Sequence, residues 1–162
     1  MTAQEPVYAP NVAANVLEHP AMRPILAVDP GLASGFAYYH PAGAWDGWER
    51  SYQPEALYEE FSYYDVGLLL IEDYDPRNPK SNHREALKVC GIAELWAASR
   101  DITFTYQRPV EVKAQITNDL LKAHQIYKPG KPHANDATRH ILWFLINKMG
   151  QKQWLMPLRR EL

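Results

Sequence analysis

The sequence predicts an α/β domain with a central mixed five-stranded sheet, three antiparallel strands and then two parallel ones, flanked by helices. Three observations carry this. Ile25-Leu26-Ala27-Val28 is an apolar run stopped by Asp29-Pro30-Gly31, with Gly35-Phe36-Ala37-Tyr38-Tyr39 following at hairpin distance. Val66-Gly67-Leu68-Leu69-Leu70-Ile71 is a second apolar run, of the kind a central strand covered on both faces needs beside a parallel neighbour. Beyond it the apolar spacing becomes helical, interrupted once by the alternating strand Ile102-Thr103-Phe104-Thr105-Tyr106.

Taken in order, residues 1–23 hold Pro6, Pro10 and Pro20 and keep no period, which predicts an extended arm. Strands are expected over Pro24–Asp29 and Gly35–His40. After the turn Pro41-Ala42-Gly43, the pattern Ala44–Arg50 suits a third antiparallel strand. Pro54 opens a short helix with Ala56, Leu57, Phe61 and Tyr64 inward. The strand Val66–Tyr74 ends in Glu72-Asp73, and only one of these two acids can face a site at its end, because strand neighbours point to opposite sides.

Residues 75–82 form a polar loop with two prolines, and Ser81 or Asn82 is placed to cap a helix from His83 to about Arg100. That helix is apolar around more than half its circumference, so it needs cover from the sheet and from a second body, either a helix of this chain or a partner subunit. Val110 to about Tyr127 reads as one helix carrying Lys113, Asn118, Lys122 and His124 on polar positions. A basic loop, Lys128-Pro129-Gly130-Lys131-Pro132, precedes a last helix from His133 that opens polar and turns apolar. The tail ends basic, at Arg159-Arg160.

The 162 residues suit one domain, 24–150, between the arm at 1–23 and a basic tail at 151–162. Cys90 is the only cysteine, so no internal disulfide forms, which suits a reducing, cytoplasmic setting. No apolar run nears the roughly 20 residues of a membrane span, and the N-terminus lacks a basic stretch followed by an apolar one. The net charge of −2 argues against a protein that coats nucleic acid at random. Its distribution is uneven. Residues 1–100 carry 7 Lys and Arg against 14 Asp and Glu, whereas residues 101–162 carry 10 against 5. That asymmetry can lay a polyanion over one face.

Asp29, Glu72, His133 and Asp136 stand at the ends of separate elements. Asp29 alone is equally explained as a turn cap, and Glu72-Asp73 as a solvated strand end. If the two apolar strands are parallel neighbours, however, Asp29 and Glu72 reach the same end of the sheet, where α/β folds place their sites. His133 and Asp136, three apart, share one face of the last helix's first turn. Converging carboxylates are most simply reconciled by a divalent ion between them, and hard oxygen ligands suit Mg²⁺, with Mn²⁺ as a substitute. One or two such ions can activate water against a phosphodiester.

These pieces, Val28-Asp29-Pro30-Gly31 with Gly35, Leu70-Ile71-Glu72, and His133-Ala134-Asn135-Asp136-Ala137, resemble in order and spacing the RuvC-like Holliday junction resolvases of the RNase H-like nuclease superfamily, most of all those carried by bacteriophages. The resemblance covers about residues 24–148. It implies an RNase H-like fold and a metal-dependent endonuclease acting on four-way or other branched DNA in the cytoplasm of a bacterial host. It also implies Asp29, Glu72, His133 and Asp136 as catalytic metal-binding residues, Lys113 near the scissile phosphate with Lys122 as a second choice, and a homodimer whose interface includes the Leu87–Trp96 helix. Because the whole chain is slightly acidic, DNA affinity is assigned to a local patch, Lys113, Lys122, Lys128, Lys131 and Arg139.

Two other functions share parts of this pattern. Asp-x-Gly followed by glycine on a hairpin is also similar to the phosphate loop of actin-like nucleotide-binding proteins, although those need a second related domain that 162 residues do not hold. A branched-DNA-binding module of the same fold without turnover is the other. His40, His83, His124 and His140 read as surface or packing residues, and Tyr63 or Tyr74 as side chains able to stack on an opened base.

Overall fold

The computed structural model describes residues 23–74 and 83–156. The strands are β1 (Ile25–Asp29), β2 (Ala33–Tyr39), β3 (Trp45–Ser51), β4 (Leu68–Glu72) and β5 (Thr103–Gln107). The helices are α1 (Pro54–Phe61), α2 (His83–Ser99), α3 (Pro109–Gln115), α4 (Asn118–Ala123) and α5 (Pro132–Asn147), followed by a 3-10 turn at Lys152–Leu155. The strand order is β3-β2-β1-β4-β5, antiparallel across the first three strands in that order and parallel for β1 with β4 and β4 with β5. The expected mixed sheet is therefore present. The arm up to residue 22, the loop at 75–82 with its capping residues, the side chain of His83 and the tail from 157 lie outside the described residues.

Strand alternation divides the core into two layers. Leu26, Val28, Phe36, Leu69 and Ile71 face α1 and α2, meeting Leu57, Phe61, Val89, Ala93 and Trp96. Ile25, Ala27, Ala37, Leu68 and Leu70 face α5, meeting Ala137, Ile141 and Leu145. Each large apolar side chain removed from water in this way contributes roughly 1.5–3 kcal/mol before the cost of ordering it. A smaller cluster, Ile116, Leu121, Ile126, Leu142 and Ile146, fixes α3 and α4 to the outer side of α5.

Two sequence expectations about the helices change, and one left open between two answers is decided. The single helix over 110–127 is two, because Thr117 has extended backbone and its hydroxyl accepts from the Leu120 amide at 3.2 Å, which starts a new helix. In α1, Ala56 is exposed and Glu60 turns inward instead, bonded to Arg50 Nε at 2.7 Å. The second cover of α2 is α1 of the same chain, with the Phe61 and Trp96 rings 5.4 Å apart. The buried face of α2 is also narrower than its composition suggests, since Leu87 and Leu95 are exposed.

Candidate metal centre

One row of side chains crosses the sheet at the C-terminal ends of β1 and β4. Gly35 pairs with Asp29 on one side and with Glu49 on the other, so all three belong to the face covered by α5. Val28 pairs with Ile71, which brings Glu72 beside Asp29, and Glu72 in turn pairs with Gln107 of β5. Asp73 also borders the cleft, and its backbone amide bonds the Gln107 carbonyl at 2.8 Å, but its carboxylate is not among those that converge with Asp29. Glu72 is thus the acid that joins the site.

Glycine is required in the middle of this row. A Cβ at position 35 would stand 2.0 Å from the carbonyl carbon and oxygen of His133, so the first turn of α5 rests directly on the β2 backbone. Glu49 fastens it there. Its Oε1 accepts from the backbone amides of His133 at 2.9 Å and Ala134 at 3.3 Å, placing a carboxylate on two helix N-terminal donors that have no intrahelical partner. Because that helix end is already filled by Glu49, it is not an open anion site. Pro132, at the first helical position, gives up no hydrogen bond by lacking an amide proton.

Asp29, Glu72 and Asp136 each bring a carboxylate oxygen to within 4.8 Å of the other two. His133 stands beside this trio, its Nδ1 2.9 Å from Asp29 Oδ2. Lys113 Nζ lies 2.8 Å from Asp136 Oδ2 and 3.7 Å from Glu72 Oε1, brought there by α3. Arg139, one turn after Asp136, bonds the other Asp136 oxygen, the Asn118 side chain and the Ile116 carbonyl at the break between α3 and α4. The group opens on a cleft of about 780 Å³ whose other walls include Leu32, Tyr52, Tyr74 and Pro109.

Electrostatics separate the three acids. Burial pushes the Asp29 carboxyl up to about 6, with Glu72 and Asp136 adding to the rise and the His133 bond opposing it. Burial acts on Glu72 in the same sense, but the hydrogen bond from His140 and the charge of Lys113 outweigh it and hold Glu72 below the usual carboxylate range. His133 is raised, chiefly by its bond to Asp29. Lys113 is also raised, because its carboxylate neighbours outweigh its own partial burial. An all-oxygen trio of this size fits a hard divalent ion.

The other residues singled out from the sequence are distributed as follows. Lys128 reaches Asp46 at 3.7 Å, and Lys131 is exposed just before α5. Lys122 is turned toward Asp119 and the Tyr127 ring, so it does not join the carboxylates. Arg139 is mostly buried, with a side-chain exposure of 12%, and its guanidinium is committed to protein oxygens. Tyr74 lines the cleft, whereas Tyr63 is exposed beside Tyr58 and Ser62 on a separate shallow surface.

His140 departs most from its expected surface or packing role. It is fully buried and its Nε2 is 2.9 Å from Glu72 Oε2, while Nδ1 is 2.8 Å from Gln107 Oε1. The signal was available, since His133, Asp136 and His140 are spaced i, i+3, i+7 along one face of a helix. Gln107 and Glu49 carried no comparable signal, because their roles depend on strand register.

No family model matches the chain, and no curated protein does. Solved structures do match. A structure described as T. thermophilus RuvC in complex with Holliday junction substrate superposes with a TM-score of 0.60 at 14% identity, over 78% of this chain and 96% of that one. A second, described as Thermus thermophilus RuvC structure, gives 0.57 at 12% identity over the same shares. At such identities the likeness is one of fold, and the fold is the RNase H-like arrangement of RuvC. Among the described residues no helix is long and apolar enough to cross a membrane.

Proposed function

We propose that this chain is a divalent-metal-dependent, structure-selective DNA endonuclease that cuts phosphodiesters in four-way junctions or other branched DNA, with residues 24–150 as its nuclease domain. The observation that supports it best is the convergence of Asp29, Glu72 and Asp136, from β1, β4 and α5, at the floor of an open cleft in a RuvC-type fold. The T. thermophilus protein of similar fold is described in complex with a Holliday junction, which supports branched DNA as the substrate class.

Mg²⁺, with Mn²⁺ as a substitute, would be held by the three carboxylates, and when bound it supplies an acidified water and charge neutralisation at the phosphodiester. The residues of the chain do the rest. His133 holds Asp29 Oδ2 through Nδ1 and so fixes the orientation of that carboxylate. Lys113, 43% exposed at the cleft wall, presents a positive charge where a phosphate would lie. Arg139 clamps Asp136 from behind, and its part is to orient that acid rather than to meet DNA. Lys128 and Lys131 flank the start of α5 and extend the cationic surface along the backbone of the nucleic acid, where shape and charge, not base edges, select the substrate. A homodimer, which would set two such clefts against one junction, belongs to this reading, as does the bacteriophage-type origin.

The test is cleavage of a labelled four-way junction beside linear duplex and flap controls, with Mg²⁺ or EDTA, for wild type and Asp29→Asn. Paired metal-dependent nicks at the junction, absent in the variant, are expected. Junction binding with no cleavage would instead establish a binding module, and tight nucleotide binding with neither would establish the actin-like reading.

A further inference from the structure

His140 is buried between Gln107 and Glu72, and its two ring nitrogens decide what Glu72 can offer. Gln107 Oε1 faces Nδ1 and the Glu72 carboxylate faces Nε2, so both neighbours of the imidazole are acceptors in this amide orientation. A neutral ring has one proton and cannot satisfy both. In the same arrangement Gln107 Nε2 is buried with no partner among the described residues. Turning the amide over gives Nδ1 a donor and moves the carbonyl oxygen, the less demanding of the two groups, into the unpartnered position. The NH₂ group of Gln107 then donates to Nδ1, the ring proton sits on Nε2, and Nε2–H donates to Glu72 Oε2.

Glu72 is left with one oxygen engaged by a donor that cannot move, because His140 is fully buried and Gln107 is held in β5 by its pairing with Glu72. Its other oxygen, Oε1, stays on the side of Lys113 and the cleft. We propose that His140, with its proton placed by Gln107, is a positioning residue that presents Glu72 to the divalent ion through a single oxygen. This rests on the metal-dependent reading of the site. Supporting residues behind a metal ligand typically change affinity by about 10–100-fold when removed.

The experiment uses the full chain. Mn²⁺ affinity is measured by calorimetry for wild type, His140→Leu, which fills the space without a donor, and His140→Gln, which restores an N–H near the position of Nε2. Thermal melting in EDTA checks that each variant is folded, and junction cleavage is assayed in parallel. His140→Leu should bind Mn²⁺ at least about 10-fold more weakly than wild type, with His140→Gln recovering most of that loss. Wild-type affinity in His140→Leu, or equal impairment of two folded variants, would overturn the proposal.

If His140→Leu does not fold, ¹⁵N spectra of the wild type decide the matter. A ring protonated at Nε2 alone is expected, and a proton on Nδ1 would overturn it. A protein that binds Mn²⁺ with this dependence on His140 yet cuts no DNA would sink the nuclease reading and leave the positioning role standing. Absence of Mn²⁺ binding by wild type would sink both.

Discussion

The backbone of His133 lies against Gly35 so closely that a Cβ on the glycine would stand 2.0 Å from the His133 carbonyl carbon and oxygen. This contact sets where α5 begins over the sheet, and with it the positions of His133 and Asp136 relative to Asp29. The obstacle is backbone, which cannot rotate aside as a side chain can.

Gly35→Ala should therefore destabilise the protein by about 2–4 kcal/mol, the range of severe overpacking, and reduce cleavage further by moving α5. Gly91 provides the opposite case. It is a helical position of α2 where an added Cβ meets nothing within 4 Å, so Gly91→Ala should stabilise by about 0.5–1 kcal/mol. Denaturant melts of the two variants, compared with wild type, test the contrast.

Asp29 gives a pH dependence whose sign is determined by burial. Its folded pKa is raised to about 6 from an ordinary 3.8, so in the metal-free protein its contribution to stability is complete below about pH 4 and is lost as the pH rises through about 6. His133, whose pKa is also raised, contributes in the same sense, through its bond to Asp29. In EDTA at pH 7.5, Asp29→Asn should thus be more stable than wild type by about 1–2 kcal/mol, and the gap should close toward pH 4. Thermal midpoints across that pH series measure it. A saturating divalent ion should reverse the order, since it stabilises only the protein that binds it.

Lys113 competes with a cation for the oxygens of Asp136 and Glu72 while offering its own charge to a phosphate. Lys113→Met should therefore bind Mn²⁺ several-fold more tightly and yet cleave junctions about 100-fold more slowly. Calorimetry and single-turnover cleavage separate the two effects. Weaker metal binding in this variant would show that the lysine supports the carboxylates rather than competing for them.

Thr117 starts α4, and α4 helps hold Asn118 against Arg139. Thr117→Ala should cost about 1 kcal/mol in a denaturant melt, the usual value of an N-cap, with Thr117→Ser recovering most of it.

How much of this was legible in the chain follows from the range of the forces involved. The apolar runs at 25–28 and 66–71, the Asp-Pro-Gly turn and the acid that ends each buried strand are local patterns, and they determined the mixed sheet and the placing of Asp29 and Glu72 at strand ends. The i, i+3 spacing of His133 and Asp136 likewise placed both on one helix face. The break at Thr117 was also local, a capping threonine in plain view, but the apolar period running past it concealed it.

The partnerships were decided only by tertiary structure. Which of Glu72 and Asp73 faces inward depends on register, where a shift of one residue exchanges the faces. Glu49 meets the start of α5 from 84 residues away in sequence, and Asp29 meets His133 across 104. His140 and Gln107 hold Glu72 from behind because β4, β5 and α5 pack together there. Arg139, read as a surface cation, is turned inward by oxygens that only the fold brings to it. Periodicity and turn chemistry act between neighbours in the chain, while hydrogen bonds to a buried carboxylate depend on which elements are packed against it, and that packing is what the sequence alone does not display.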